Sequence, residues 1–93
     1  MAGRVVYRLA ISRQVRTEID ALPGHVRQRI RRAIAQLAEN PTPTEAKALA
    51  GELVGYYRLR IDLYRVIYMI DDDVVLVEVV RVARRSPRTY EGL

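Results

Sequence analysis

Arg58, Arg60 and Arg65 are the residues of this chain whose type and spacing most directly suggest chemistry. Two β-patterned segments, Tyr56–Ile61 and residues 64–70, are separated by only Asp62 and Leu63. A tight hairpin loop there sets Ile61 opposite Tyr64 and Arg60 directly opposite Arg65, with Arg58 on the same face two positions back. Like charges facing each other on a sheet destabilise it by roughly a few tenths of a kcal/mol, so a basic face of this kind implies a polyanion or an acidic partner. More guanidinium groups follow in Arg81, Arg84, Arg85 and Arg88, and the run ends at Tyr90. Forked donors of this type suit phosphate, so the candidate chemistry is the binding and cutting of RNA.

Positioning such a face requires a sheet, and the pattern along the chain supplies one. Residues 4–11 alternate, with Val5, Tyr7, Leu9 and Ile11 on one side, which predicts a first strand. Ser12 is a candidate N-cap, and Val15, Ile19 and Leu22 then make one apolar stripe of a short helix. Pro23-Gly24 interrupts it. Val26, Ile30, Ala33, Ile34 and Leu37 fall on one face of a longer helix that stops near Asn40-Pro41. Residues 45–54 form an Ala-rich link with weak helical character around Gly51, and after the hairpin Asp71-Asp72-Asp73 is a turn leading to a last strand over 74–82.

The fold that follows is α+β, in the order β-α-α-β-β-β. A two-helix hairpin packs on one face of a mostly antiparallel four-stranded sheet, and the other face is left partly open, all in one domain over residues 1–93. Parity sends Tyr64, Val66, Tyr68 and Ile70 toward the helices and Arg65, Ile67 and Met69 toward the open face. The register of the last strand depends on the turn. An even-numbered loop places Val75, Val77 and Val79 against the helices and Glu78 on the arginine face, and a three-residue loop reverses this.

Composition sets outer bounds. The chain has 93 residues with 49% apolar and 29% charged, an ordinary globular balance, and 16 Lys plus Arg against 11 Asp plus Glu give a net charge of +5. Lys47 is the one lysine among those cations, the rest being arginine. Without cysteine there is no thiolate nucleophile, disulfide or cysteine metal site. Charge interrupts the amino-terminal apolar character too often for a signal sequence, and no apolar run is long enough for a bilayer, so a cytoplasmic protein without membrane association is expected.

The combination Lys47-x-Leu49-x-Gly51-x-Leu53-x-Gly55-Tyr56-Tyr57-Arg58-Leu59-Arg60, then Tyr64-Arg65-Val66-Ile67-Tyr68, then Arg84 and Tyr90, resembles the bacterial RelE/ParE toxin superfamily over nearly the whole chain, and its RelE branch more closely. The resemblance implies the toxin of a type II toxin–antitoxin pair, with a RelB-like antitoxin as partner in a hetero-oligomer. It further implies an mRNA interferase that enters the ribosomal A site and cleaves mRNA through attack of a ribose 2′-oxygen on the adjacent phosphate, without metal or other cofactor. Arg58 and Arg60 then occupy the place of the family's basic pair, Arg65 that of the phosphate-stabilising arginine, and Arg84 that of the arginine that stabilises the transition state or protonates the leaving group. Tyr90 corresponds to the tyrosine that orients or stacks on substrate, and Arg85, Arg88 and Tyr56 are further RNA-binding candidates. The alternative within the superfamily is a ParE-type toxin that inhibits DNA gyrase without cutting RNA.

Two departures bear on the chemistry. Where relatives often carry a lysine that can act as base, this chain has arginine, whose pKa of about 12 or more makes it a poor proton acceptor. Glu78, Glu52, a water or an RNA group would then take the proton, or the arginines would work by electrostatics alone. In addition, the tail reads Arg84-Arg85-Ser86-Pro87-Arg88 where relatives often read His-Arg, so the Arg84 role could fall to Arg85 or Arg88.

Other features have plainer readings. His25 starts the second helix away from the arginine face, which argues against a histidine-based ribonuclease. Arg27, Arg29, Arg31 and Arg32 form either a solvated helix face or an RNA-docking ridge, and they do not converge. Three adjacent aspartates point apart in a turn rather than enclosing a cation.

Overall fold

The computed structural model describes residues 5–93. Its elements are β1 (Arg8–Ile11), α1 (Arg13–Asp20), α2 (Gly24–Leu37), β2 (Ala46–Ala48), β3 (Tyr56–Ile61), β4 (Tyr64–Asp71) and β5 (Leu76–Arg84), with a single 3-10 turn at Gly51–Leu53. Ser12 caps α1 as its sequence position predicts, its Oγ accepting the Val15 N–H at 3.2 Å. The expected stripes are the buried ones, Val15 and Ile19 on α1 and Val26, Ile30, Ile34 and Leu37 on α2. They pack against Leu59, Ile61, Val66, Tyr68, Val77, Val79 and Val82 of the sheet, so both helices lie on one face.

The sheet has five strands in the order β1-β5-β4-β3-β2, not four. The addition is β2, three residues long, which pairs antiparallel with β3 through Ala46↔Leu59, Lys47↔Arg58 and Ala48↔Tyr57. Three residues carry too little alternation to distinguish an edge strand from a linker, and only pairing with β3 defines it. At the other edge β1 runs parallel to β5, Arg8↔Leu76 through Ile11↔Val79, so the sheet is mixed. The expected first strand is shortened. Arg4 lies outside the described residues, and Tyr7 instead donates its N–H to Ala38 O at 2.7 Å, pinning the chain to the end of α2.

The central hairpin has the expected two-residue loop and register, Ile61↔Tyr64 and Arg60↔Arg65, with Asp62 at φ 53°. Arg29 on α2 forms an ion pair with the Asp62 carboxylate, and Arg31 pairs with Asp20 at 2.7 Å. Arg27 also donates, to Asp20 O at 3.3 Å. These contacts within the fold favour the plainer reading of the arginines on α2.

The last strand begins two residues later than expected because residues 72–75 form the turn. Asp71 Oδ1 organises it, accepting the N–H of Asp73 at 3.0 Å and of Val74 at 3.4 Å, while Tyr7 OH donates to Asp72 Oδ1 at 2.6 Å. Val75 sits in this turn at φ 55°, not in the core. The four-residue loop gives the even register, with Val77 and Val79 buried and Glu78 opposite Met69 on the open face. Beyond that point β5 contains a bulge: Tyr68 pairs with Val79 but Ile67 with Arg81, leaving Val80 as an extra residue. The phase of the strand inverts there. Val82 returns to the core, and Arg81 and Ala83 turn to the open face. Past Ile11 no strand flanks β5, and Glu18 of α1 accepts the Val82 N–H at 3.1 Å.

Tyr68 is the largest fully buried side chain; it stacks on Tyr57 with ring centroids 5.5 Å apart and donates its hydroxyl to Pro41 O at 2.7 Å. Burial pushes the Tyr68 phenol up to about 12, with Tyr57 adding to the shift. The folded state therefore holds this proton more tightly than the unfolded chain, whose tyrosines titrate near 10. Stability from this source is complete below pH ~10 and is lost as pH rises from about 10 to 12. Urea titrations across that window are expected to show the loss in the wild type and a shallower slope in Tyr68→Phe; equal slopes would contradict the assignment.

Candidate phosphate site on the open sheet face

Arg60 and Arg65 face each other across β3 and β4, as the hairpin register requires, and Arg58 shares their face opposite Ile67. Arg65 is only 6% exposed, an unusual state for a cation in mid-strand. Its side chain donates from Nη1 to the carbonyl of Tyr64 at 3.1 Å, within its own strand. Burial holds the Arg65 guanidinium below the usual arginine value, and repulsion from Arg60, Arg58 and Arg85 lowers it further, opposed by Tyr90. Arg58, Arg60 and Arg65 thus share one face of the hairpin, and Arg85 and Tyr90 lie near enough to act electrostatically on Arg65. Among the described residues none of the four arginines has a carboxylate partner. The Nε of Arg58 is buried without a hydrogen-bond partner among the described residues.

The energetic balance is unfavourable as it stands. At an effective dielectric of 20, two unit charges ~7 Å apart repel by about 2 kcal/mol, whereas an exposed ion pair such as Arg29–Asp62 returns at most about 1 kcal/mol. A buried donor left unpaired costs about 1–3 kcal/mol more. An anion bridging the guanidinium groups would remove both penalties.

Arg84 does not join this group. It pairs with Tyr64, whose ring packs against the helix-side core, so the bulged strand directs Arg84 away from the Arg65 face. Arg85 follows it, bonded through its N–H to Leu63 O at 2.8 Å, and is the tail arginine that acts electrostatically on Arg65. Simple alternation from Val77 and Val79 puts Arg84 on the arginine face, and the extra residue Val80 is what defeats it. Arg88 lies on the exposed tail 3.7 Å from Glu91. Tyr56 is on the right face but opposite Met69, four residues along β4 from Arg65 and therefore roughly 13 Å away. Glu78 is at that same end, also opposite Met69, and Glu52 lies in the 3-10 turn before β3.

Two further basic residues belong to the face and were given no role from sequence. Lys47 of β2 is directly opposite Arg58, and Arg81 of β5 is directly opposite Ile67. Lys47 was hidden by an unrecognised strand and Arg81 by the bulge. The tail after β5 folds back over this face, leaving Ile67 fully buried where an open surface was expected.

A family model described as the ParE toxin of type II toxin–antitoxin systems, parDE, matches residues 9–88. The chain belongs to that family. It is also similar to two solved relatives whose structures are toxin–antitoxin complexes. One is RelBE2 from Mycobacterium tuberculosis, at 29% identity and TM-score 0.75, covering 87% of this chain and all of that one. The other is the archaeal RelE–RelB complex from Pyrococcus horikoshii, at 27% identity and TM-score 0.77, covering 88% and 98%. A YoeB/ParE toxin from Agrobacterium tumefaciens, at 15% identity, shares the fold with TM-score 0.73 over 85% of this chain and 99% of that one. No curated protein sequence matches. The chain is thus a type II toxin of the RelE/ParE superfamily with the two-helix, mixed-sheet fold of the RelE structures.

If Arg65 is held in place at an energetic cost, shortening the list of charges should stabilise the fold. Arg65→Met, which keeps side-chain length, is expected to raise unfolding stability by about 1 kcal/mol. Inorganic phosphate should raise the melting temperature of the wild type more than chloride at equal ionic strength, and this difference should vanish in Arg65→Met. Calorimetry checks both, and a destabilised Arg65→Met protein would contradict the account.

Proposed function

We propose that this toxin is a ribosome-dependent mRNA endoribonuclease of the cytoplasm, acting through one domain over residues 1–93. The observation that carries the reading is Arg65, buried opposite Arg60 and under the repulsion of Arg60, Arg58 and Arg85, with no carboxylate partner among the described residues. A phosphodiester is the ligand whose negative charge and two non-bridging acceptor oxygens such a group suits. Arg58 and Arg60 bind the RNA backbone, Arg65 stabilises the charge that builds on the phosphorane, Arg85 serves the side of the departing 5′-oxygen, and Tyr90 orients the nucleotide.

In the reaction the ribose 2′-oxygen forms a bond to phosphorus as the bond to the 5′-oxygen breaks, leaving a 2′,3′-cyclic phosphate and a 5′-hydroxyl. The proton of the 2′-hydroxyl passes to water, and water protonates the leaving oxygen. Among the described residues no carboxylate is paired with Arg58, Arg60, Arg65 or Arg85, so catalysis is electrostatic stabilisation and positioning. The rate should then rise with pH from about 6 to 9 without the plateau that a titrating side-chain base produces.

A second reading has its own support. The family match is to ParE, and a face without a base fits a toxin that inhibits DNA gyrase through protein contacts. Primer extension on mRNA from a translation reaction, run beside a gyrase supercoiling assay, separates the two. The endonuclease reading expects cuts within A-site codons, reduced at least about 100-fold in Arg65→Ala, with supercoiling intact. Intact mRNA with blocked supercoiling would reverse the assignment.

A cognate antitoxin, RelB-like as in the solved relatives, is part of the proposal. Its toxin-binding segment is acidic and covers the open face, hiding the arginines in a hetero-oligomer. Isothermal titration should show affinity falling with salt for the wild type and falling much less for an Arg60→Glu/Arg65→Glu protein. Salt-independent binding of the wild type would contradict electrostatic capture.

A further inference from the structure

We propose that Arg81 is a positioning residue: it clamps the carboxy-terminal tail onto the sheet and thereby sets Tyr90 and Arg85 beside Arg65. Its functional half rests on the phosphate-site reading above. The β5 bulge turns Arg81 to the open face opposite Ile67, directly under the returning tail. There its Nη1 donates to the carbonyl of Thr89 at 2.8 Å and to the carbonyl of Glu91. Those two carbonyls flank Tyr90, so one guanidinium brackets the backbone of the residue that must be placed. The chain then turns away at Gly92, φ 76°, where a Cβ would come within 3.8 Å of Arg81 Nη2.

The tail is shaped to meet this clamp. Thr89 is only 2% exposed although it lies in a polar segment. Its hydroxyl donates to Ser86 O and accepts the Ser86 N–H, both at 2.9 Å, and its own N–H donates to Ser86 O at 3.1 Å. This closed loop carries the chain from Arg85 round to Tyr90 in a fixed turn. Ile67 beneath it is fully buried. Arg81 has no carboxylate partner among the described residues, so its charge is directed at carbonyl oxygens, where it makes the stronger charge-assisted type of hydrogen bond. With Nη1 committed to the tail, Arg81 acts through Tyr90 rather than on a phosphate.

The test compares wild type, Arg81→Met, Arg81→Lys, Tyr90→Ala and the Arg81→Met/Tyr90→Ala double variant. Amide hydrogen exchange reads the tail, and binding of a non-cleavable 2′-O-methyl RNA oligonucleotide reads the site. In Arg81→Met the Thr89 amide should exchange at least about tenfold faster while β3 and β4 amides keep their protection, and Arg81→Lys should recover part of the difference. RNA affinity should fall about as far in Arg81→Met as in Tyr90→Ala, and the double variant should be no weaker than either. Unchanged tail exchange in Arg81→Met overturns the clamp, and additive losses in the double variant overturn its action through Tyr90. Should the wild type fail to bind RNA at all, the phosphate-site reading falls, and the clamp is then decided by the exchange data alone.

Discussion

One extra residue in β5 determines what this molecule presents to its surroundings. Alternation along β5 is fixed at its start by Val77 and Val79, which must face the helices, and if Val80 were an ordinary paired residue rather than a bulge that alternation would carry Arg81 into the core and leave Val82 outside. A guanidinium there would be buried among Val66 and the helix residues at a cost of several kcal/mol. The bulge exchanges the two. It keeps an unbroken apolar layer against α1 and α2 and delivers Arg81 and the following tail to the face already occupied by Arg58, Arg60 and Arg65. Glu18 completes the arrangement by accepting the Val82 N–H where no strand remains to do so. Core packing and site assembly are thus settled by the same local irregularity.

The face so built is unfavourable without a ligand, and the fold holds it in place by more than one route. The short loop at Asp62 and Leu63 leaves the two strands no alternative register, because slipping by one residue would expose Val66 and Tyr68. Arg29 on α2 ties that loop to the helix layer through Asp62. Buried Ile67 and Thr89 hold the tail down beside the charges. Rigid placement of donors before the ligand arrives is what electrostatic catalysis and tight phosphate binding require, and it explains why like charges are tolerated at Arg60 and Arg65.

Much of this was legible in the sequence, and the failures have specific causes. Helix stripes, the Ser12 cap and the hairpin register follow from periodicity and a two-residue loop, both local signals. The facing of Arg60 and Arg65 came with that register. The edge strand Ala46–Ala48 has no local signal, since its only determinant is the neighbouring β3. The even-loop register puts Val75 on the helix face with Val77 and Val79, yet it occupies a left-handed turn position that its type disfavours. Arg84 is the arginine that the family pattern points to, with Arg85 and Arg88 as its alternatives, and what separates them in space is a bulge that no residue type announces. Arg81, sitting within an apolar run, gave no hint that it would reach across to carbonyls eight and ten residues further on.

The most direct check of the account concerns the phase of β5 at its end. Binding of single-stranded RNA to this toxin should weaken with salt, and each phosphate contact removed should lower the slope of log affinity against log salt by roughly 0.7. Measured on a non-cleavable oligonucleotide, Arg85→Ala is expected to lower that slope by about this amount while Arg84→Ala leaves it unchanged. A lowered slope in Arg84→Ala with no change in Arg85→Ala would place the wrong arginine at the phosphate and contradict the arrangement described.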